Sequence, residues 1–536
     1  MGREKKKVEY YNGRWKGKYL SDEDCNKLDM VRALDYQFQK TGKYGKIPEL
    51  EHIIYDLTPS DIDEVIRTGS SDFLELKEKV GTLEPLQTTG VGFMFFAGRA
   101  VLGDSVGIGK TVEVAGLINL LRNLYRQQGR EFRFLFLTAK TLIPQARREL
   151  IRFTGEYVGE VYGEKSLVKK FIDENYSSIN YDVVGAHSLL KSVDFQSYMR
   201  SFVMDAGECP FDLLIVDESG DILSNTTTQY YKDGSYIADM FDRIVLLNAT
   251  PFEKELRSFY AQLNFVDKSF LPTKTEFSAT YEVYDYYGPY PTFSGKYKNQ
   301  DQFRKLVGYR YFARTRKDFG ATMVDCSAEA VVVPLSKEQR ELLKKTSIPQ
   351  MVYDCPSYFK MGVETNIDTT PKLRALLKLI TEDLVNEPQV LVYTRYKETQ
   401  RSIKELLDFY GIDTMVLNGD SSQKERENVI NSFKLGDFRV LVTNVQKGLN
   451  FGNCNVCIFY TFDHSPSKMV QFEGRMTRSF DIVGKHVYLL LSKGAELKSF
   501  NTVVSDRANA SDVFAGSDFS CVLELLLDRY KNGKVE

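Results

Sequence analysis

Short runs that are apolar throughout recur from about residue 99: RAVLGD at 99–104, FRFLFLTA at 132–139, FDLLIVDE at 211–218 and RIVLLNAT at 243–250, with helical spacing between them. A strand with one wet face alternates polar and apolar residues. A strand apolar on both faces must be covered on both, so these runs predict a parallel sheet between helical layers. The rhythm stops between about 253 and 370, where the chain turns aromatic (YEVYDYYGPYPTFSGKY, 281–297) and then basic (RYFARTRK, 310–317). It resumes with VLVYT at 390–394, RVLVT at 439–443, VCIFYT at 456–461 and HVYLLL at 486–491. The expected organisation is α/β: an accessory region over 1–80, a first lobe over 81–258, an insertion over 259–330, a second lobe over 331–500 and a tail over 501–536. A C-terminal helix is expected at about 518–531. In the accessory region the spacing predicts a short helix from Ser60 to Arg67, with Ser60 as cap and Asp61 and Asp63 in its first turn.

Composition narrows the class. With 43% hydrophobic residues in 536 the chain buries a core and is not disordered. The 71 basic and 73 acidic side chains leave a net charge of -2, which excludes a uniformly basic nucleic-acid coat but not a local basic groove. No apolar stretch approaches a membrane span, and the opening MGREKKKVEYYNGRW lacks both the apolar core of a secretory signal and the Ser or Thr of a myristoylation motif. Seven scattered cysteines, an odd number, argue against a disulfide framework and for a reducing cytoplasm. Cys454-Asn-Val-Cys457 has zinc-knuckle spacing without a second pair nearby and reads as structural. The Lys5 to Lys7 run reads as a solvated tail.

Three segments carry chemistry. Gly103-Asp-Ser-Val-Gly-Ile-Gly-Lys-Thr111 follows an apolar strand and opens a helix. Such a turn aims backbone N–H groups from around Gly107 and Gly109 at phosphate oxygens, Lys110 reaches the β/γ-phosphates, and the Thr111 hydroxyl can bind Mg²⁺. Asp104 stands where the G-x-x-x-x-G-K-S/T pattern has its first glycine. Leu-Leu-Ile-Val-Asp217-Glu218 ends an apolar strand at the edge where parallel sheets bind ligands. Asp217 can hold Mg²⁺ through its water shell, and Glu218 can orient and deprotonate an attacking water. Further on, Gln471-Phe-Glu-Gly-Arg-Met-Thr-Arg478 puts Arg475 and Arg478 three apart, on one helical face. Paired arginines can stabilise charge on a γ-phosphate; they can equally form a solvated face.

These segments, in this order, resemble the superfamily two helicases, and among them the Swi/Snf-type ATPases. Further matches are Leu83-Glu-Pro-Leu-Gln87, Thr138-Ala-Lys-Thr-Leu-Ile-Pro-Gln145 with Glu149, Val183-Val-Gly-Ala-His-Ser188, Asn248-Ala-Thr-Pro251, Pro371-Lys-Leu-Arg-Ala-Leu-Leu377, Leu391-Val-Tyr-Thr394 and Lys447-Gly-Leu-Asn450. Together they span roughly 81 to 495. Swi/Snf-type members also carry Asp at the position of Asp104. The chain departs from the pattern at Asp217-Glu-Ser-Gly220, where the family usually reads Asp-Glu-Ala-His, at Ala146 in place of a common Trp, and at Ala249-Thr-Pro in place of Gly-Thr-Pro.

The resemblance implies two tandem RecA-like lobes with ATP and Mg²⁺ between them. Gln87 would lie near adenine, Asp104, Lys110 and Thr111 at the phosphate loop, Asp217 and Glu218 beside them, and Gln471, Arg475 and Arg478 on the second lobe's side. It also implies phosphate-backbone contacts from Lys140, His187, Ser188, Thr394, Arg395, Thr443 and Asn444, which would position a nucleic acid without reading its sequence. In the insertion, Tyr284, Tyr286, Tyr287, Tyr290 and Phe293 can stack bases or pack a small subdomain, and Arg310, Arg314, Arg316 and Lys317 can neutralise phosphates or be solvated. The expected function is ATP-driven helicase or translocase activity on duplex or branched DNA. An RNA helicase, or a nucleotide-binding scaffold or loader, are the alternatives. The length, bare of chromatin-reading modules, suggests phage or mobile-element machinery in a host cytoplasm.

Overall fold

The computed structural model describes residues 10–12, 14–43, 50, 56–69, 83–176, 178–249, 256–286, 290–315, 318, 326–347, 349–354, 370–445, 454–462, 485–494 and 496–501. The chain divides into two compact units, 1–320 with 509–518, and 321–508 with 519–536. The expected C-terminal helix, Gln471, Arg475, Arg478, Arg316, Lys317 and Tyr287 lie outside the described residues.

Unit 1 is built on seven parallel strands: β1 (Arg99–Leu102), β2 (Phe134–Thr138), β3 (Val158–Val161), β4 (Asp182–Ala186), β5 (Leu213–Val216), β6 (Arg243–Leu247) and β7 (Tyr311–Phe312), in the order β7-β1-β6-β5-β2-β4-β3. The apolar runs behave as their two-faced pattern requires. In β5, Leu214 and Val216 enter one core and Leu213 and Ile215 the other; Leu135 and Leu137 of β2 likewise oppose Phe134 and Phe136.

Segments from outside the expected first lobe cover both faces. The N-terminal region is part of one layer: Cys25, Leu28 and Val31 of helix Asp22–Thr41, with Ile62 and Val65 of helix Pro59–Thr68, are buried in the same core as Leu213 and Ile215. The segment expected as an insertion covers the other face. Phe259, Leu263, Phe277, Phe303 and Val307 join Leu214 and Val216, and the chain then adds β7 beside β1, with Gly103 N–H donating to Phe312 O at 2.7 Å. Aromatic side chains supply a large apolar area per residue, which suits a layer of short elements. Tyr284 and Phe293 pack edge to face across a hairpin, Glu282–Asp285 with Thr292–Tyr297, whereas Tyr286 and Tyr290 stay exposed. Helix Pro59–Thr68 begins one residue earlier than its apolar spacing suggests, and its cap lies two residues earlier. Thr58, not Ser60, is its cap: the Thr58 hydroxyl accepts from Asp61 N–H at 3.3 Å while Thr58 N–H donates to the Asp61 carboxylate at 3.1 Å.

Unit 2 carries six parallel strands: β8 (Cys326–Val333), β9 (Val390–Tyr393), β10 (Thr414–Leu417), β11 (Val440–Thr443), β12 (Val456–Phe459) and β13 (Lys485–Ser492), in the order β8-β13-β12-β9-β11-β10. Both units thus have the parallel, doubly covered sheet of a RecA-like lobe. Cys454 and Cys457 are buried at the start of β12, and the Cys454 thiol lies near Gln389 O.

One polar cluster sits inside unit 2. The Lys372 ammonium, 1% exposed, donates to Asp354 Oδ1 (2.8 Å), Glu496 Oε1 (2.9 Å) and Tyr460 O (3.0 Å). Burial pushes the Asp354 carboxyl up to about 6 even beside that cation. Lys372→Met leaves two buried acids without their counter-charge, and we expect it to lower unfolding stability by about 3–5 kcal/mol. Urea denaturation monitored on unit 2 should show an earlier midpoint; an unchanged midpoint would mean the cluster is solvated.

Candidate functional site

The strand order brings the sequence's chemical segments to one edge. β1, β6 and β5 are consecutive in the first sheet, so the loop after β1, the turn after β6 and the Asp-Glu pair after β5 all leave its carboxyl end side by side. Lys110 opens helix Lys110–Gln127: the N–H groups of Val112 and Glu113 donate to Gly109 O at 2.8 and 3.1 Å, which leaves those of Lys110 and Thr111, the first two of the helix, without an intrahelical acceptor next to the glycine loop. Gly107 and Gly109 have φ of 89° and 101°, a backbone region that side chains avoid, so the loop's curvature depends on glycine at both places. The Lys110 ammonium donates to the carbonyls of Asp104 (2.7 Å) and Ser105 (3.1 Å), within the loop it is expected to serve. Gln87 is in the first turn of helix Pro85–Ala97, and its amide donates to Ile108 O at 3.0 Å, so this residue touches the loop directly.

Asp217 and Glu218 follow β5. Asp217 Oδ2 accepts from the Thr138 hydroxyl at 3.3 Å, and Asp217 Oδ1 accepts from Glu218 N–H at 3.0 Å. Glu218 has φ of 47°, a left-handed conformation rare outside glycine that costs a β-carbon-bearing residue about 1–2 kcal/mol. Its half-buried carboxylate is thus held in a sparsely populated backbone geometry beside the metal-binding candidate. These are hard oxygen donors, and with Thr111 they fit Mg²⁺, which takes few protein ligands and keeps water and phosphate oxygens for the rest.

The turn after β5 is tied to its neighbour. Gln262 of helix Leu256–Val266, fully buried, accepts from Ser219 Oγ (3.0 Å) and from Asn248 Nδ2 (2.9 Å), while Asn248 N–H donates to Leu102 O of β1 (3.0 Å). A β-carbon at Gly220 would come 2.6 Å from Asn248 Nδ2. The departure from Asp-Glu-Ala-His is therefore matched in space: Asn248 occupies the room beside residue 220, and only glycine leaves it.

Several expected nucleic-acid contacts need correction. His187 is buried, and its Nε2–H donates to Asp217 O at 2.8 Å, so it supports the acidic turn instead of facing a phosphate. Arg310 and Arg314 are 0% and 1% exposed; Arg310 pairs with Asp267 at 3.0 Å, and Arg314 pairs with the Asp104 carboxylate at the start of the phosphate loop. In unit 2, Thr394 and Thr443 reach the carboxyl ends of the adjacent strands β9 and β11 but are fully buried, Thr394 against the Thr461 hydroxyl at 2.9 Å and Thr443 capping Val445 N–H at 3.0 Å. Lys140, paired with Glu164, and Arg395 are exposed, while Ser188 and Asn444 are half-buried. Sequence reading missed Gln262, and it quoted Thr138, Ser219 and Asn248 as parts of segments at the polar ends of the apolar runs without placing their side chains in the site; all four are neutral.

Comparison with known proteins identifies the family. Residues 86–390 match the family model of the SNF2-related domain, and 371–479 match the helicase conserved C-terminal domain. The DNA repair and recombination protein RAD54B of Gallus gallus is 22% identical over 77% of this chain and 52% of its own length. The uncharacterized ATP-dependent helicase YqhH of Bacillus subtilis is 23% identical over 74% of this chain and 72% of its own. The Sulfolobus solfataricus SWI2/SNF2 ATPase core in complex with dsDNA aligns over 83% of this chain and 95% of its own, at 18% identity and a TM-score of 0.38. The chain spans about half the length of several curated relatives it matches. Among the described residues no helix is long and apolar enough to cross a membrane.

Proposed function

The chain belongs to the SNF2-related family, and from that premise we propose that it is an ATP-dependent helicase or translocase acting on duplex or branched DNA. The observation that carries the reading is the shared edge of β1, β6 and β5, which sets the Lys110 loop and the Asp217-Glu218 pair one strand apart. Lys110 and the first-turn N–H groups would take the β- and γ-phosphates of ATP, the substrate. Gln87, already on the loop, would meet the base side. Thr111 and Asp217 would hold Mg²⁺, which neutralises phosphate charge. Glu218 would align a water on the γ-phosphorus and take its proton. Gln471, Arg475 and Arg478 would complete the hydrolytic set from unit 2's sequence. Cycles of hydrolysis would then advance the protein along DNA in replication, recombination or transcription, through exposed groups such as Lys140 and Arg395 together with Ser188, Asn444, Arg316 and Lys317. A cytoplasmic setting accords with this reading.

The substrate class is tested by steady-state ATPase assays with single-stranded DNA, duplex DNA, forked DNA and RNA. We expect duplex or forked DNA to raise turnover several-fold over the protein alone. Stimulation by RNA with none by DNA would overturn the DNA assignment, and nucleotide-independent function of Lys110→Ala in cells would favour the scaffold.

A further inference from the structure

Among the described residues of unit 1, Arg314 is a heavily engaged buried charge, and no step proposed above uses it. It follows β7, and both its backbone and its side chain grip the start of the phosphate loop. Its N–H donates to Asp104 Oδ1 at 2.8 Å, and its carbonyl accepts from Ser105 N–H at 3.0 Å and from Ser105 Oγ at 3.1 Å. Its Nε donates to Asp104 Oδ1 at 3.2 Å, and its Nη2 contacts both Asp104 Oδ2 and Glu113 of helix Lys110–Gln127. The other arm, Nη1, donates to Leu86 O, the residue before Gln87, and reaches Thr89 Oγ1 at 2.9 Å and Asp35 of helix Asp22–Thr41 at 3.4 Å. The guanidinium face lies 4.8 Å from the Phe312 ring. Gly90 is required beside it, since a β-carbon there would collide with Glu113 and Arg314 Nη2.

Burial penalises this cation, but Asp104 and Glu113 outweigh the penalty and strengthen its hold on the proton. Burial and then the Asp104 charge push Glu113 well above the usual carboxylate range. A planar fork that satisfies two sides at once is a property of arginine that lysine lacks.

We propose that Arg314 is a positioning residue of the ATP site: it fixes the phosphate loop to the Leu86–Gln87 turn, so that the two sequence-distant pieces that meet the nucleotide are set relative to each other. The inference rests on the ATP-site reading and adds a direction of transmission. Lys110 donates to the carbonyls of Asp104 and Ser105, the two loop residues whose other groups bond Arg314. A phosphate that draws the ammonium toward itself loosens those carbonyls, and the change is felt at Arg314 and at the residues that follow it toward unit 2.

The test uses the full chain and amide hydrogen exchange with and without a non-hydrolysable ATP analogue and Mg²⁺. We expect altered exchange at 107–111 and, in the same experiment, at Arg314 and Thr315. Altered exchange at 107–111 alone would overturn the proposal and leave the ATP site standing; no change at either place would overturn both. In kinetics, Arg314→Lys should raise KM for ATP by about tenfold or more, as the loss of at least one charge-assisted hydrogen bond implies, with a smaller change in kcat. Its exchange at 315 should no longer respond to saturating nucleotide. An unchanged KM with a normal response at 315 would overturn the proposal, and if the variant does not fold, the exchange pattern of the unaltered chain decides.

Discussion

Glu218→Gln should bind ATP with near-normal affinity and hydrolyse it about 10²–10⁴-fold more slowly, the range that a positioned general base contributes. The change keeps the shape and length of the side chain and removes only its capacity to take a proton. It also spares the backbone, because the left-handed conformation at 218 is imposed by its surroundings: Asp217 Oδ1 holds the Glu218 N–H, and Ser219 N–H donates to Leu247 O of the neighbouring strand at 3.0 Å. A drop in kcat with binding retained, read by single-turnover hydrolysis beside nucleotide titration, would therefore report on the carboxylate itself. Undiminished turnover would place the base elsewhere. Reduced binding would instead indicate that the Asp217 turn, with its proposed metal-binding role, had moved.

The parts of this site that were legible in the sequence are those in which residue type and local pattern decide the outcome. Apolar runs bounded by glycine or acid gave β1, β2, β5 and β6, and a glycine loop before a helix start permits few conformations. What was not legible depends on burial by distant chain. Arg314 stands in a basic-looking stretch, yet its partners Asp104, Glu113 and Leu86 O lie more than 200 positions away, and only the fold makes that guanidinium an internal strut. The one sequence hint was Asp104 itself, a charge in the place of a glycine, which has to be solvated or paired. His187, Thr394 and Thr443 share the difficulty: a polar residue at a strand end points either outward to a ligand or inward to a neighbouring turn, and its identity is the same in both cases. β7 escaped notice because two residues, Tyr311 and Phe312, are too few to show a period. The cap of helix Pro59–Thr68 was readable, since Thr58-Pro-Ser-Asp61 carries both a capping box and a proline at the first helical position.

Arg478→Ala should lower kcat by about 10³-fold or more while leaving ATP binding largely intact, because an arginine that meets the γ-phosphate does so mainly as charge develops in the transition state. Arg478→Lys should recover little, since a point charge does not reproduce the planar fork. The residue falls within the match to the helicase conserved C-terminal domain, over 371–479, whereas Lys110 and Glu218 belong to unit 1. A double variant separates cooperation from coincidence. If Glu218 and Arg478 serve one chemical step, Glu218→Gln with Arg478→Ala should hydrolyse ATP scarcely more slowly than the worse single variant, because groups that act as a unit are not additive in their loss. If the two losses instead multiply, the residues act on separate steps. If Arg478→Ala turns over normally, unit 2 contributes no guanidinium from this position to hydrolysis, and movement along DNA would need another source of coupling to the fuel.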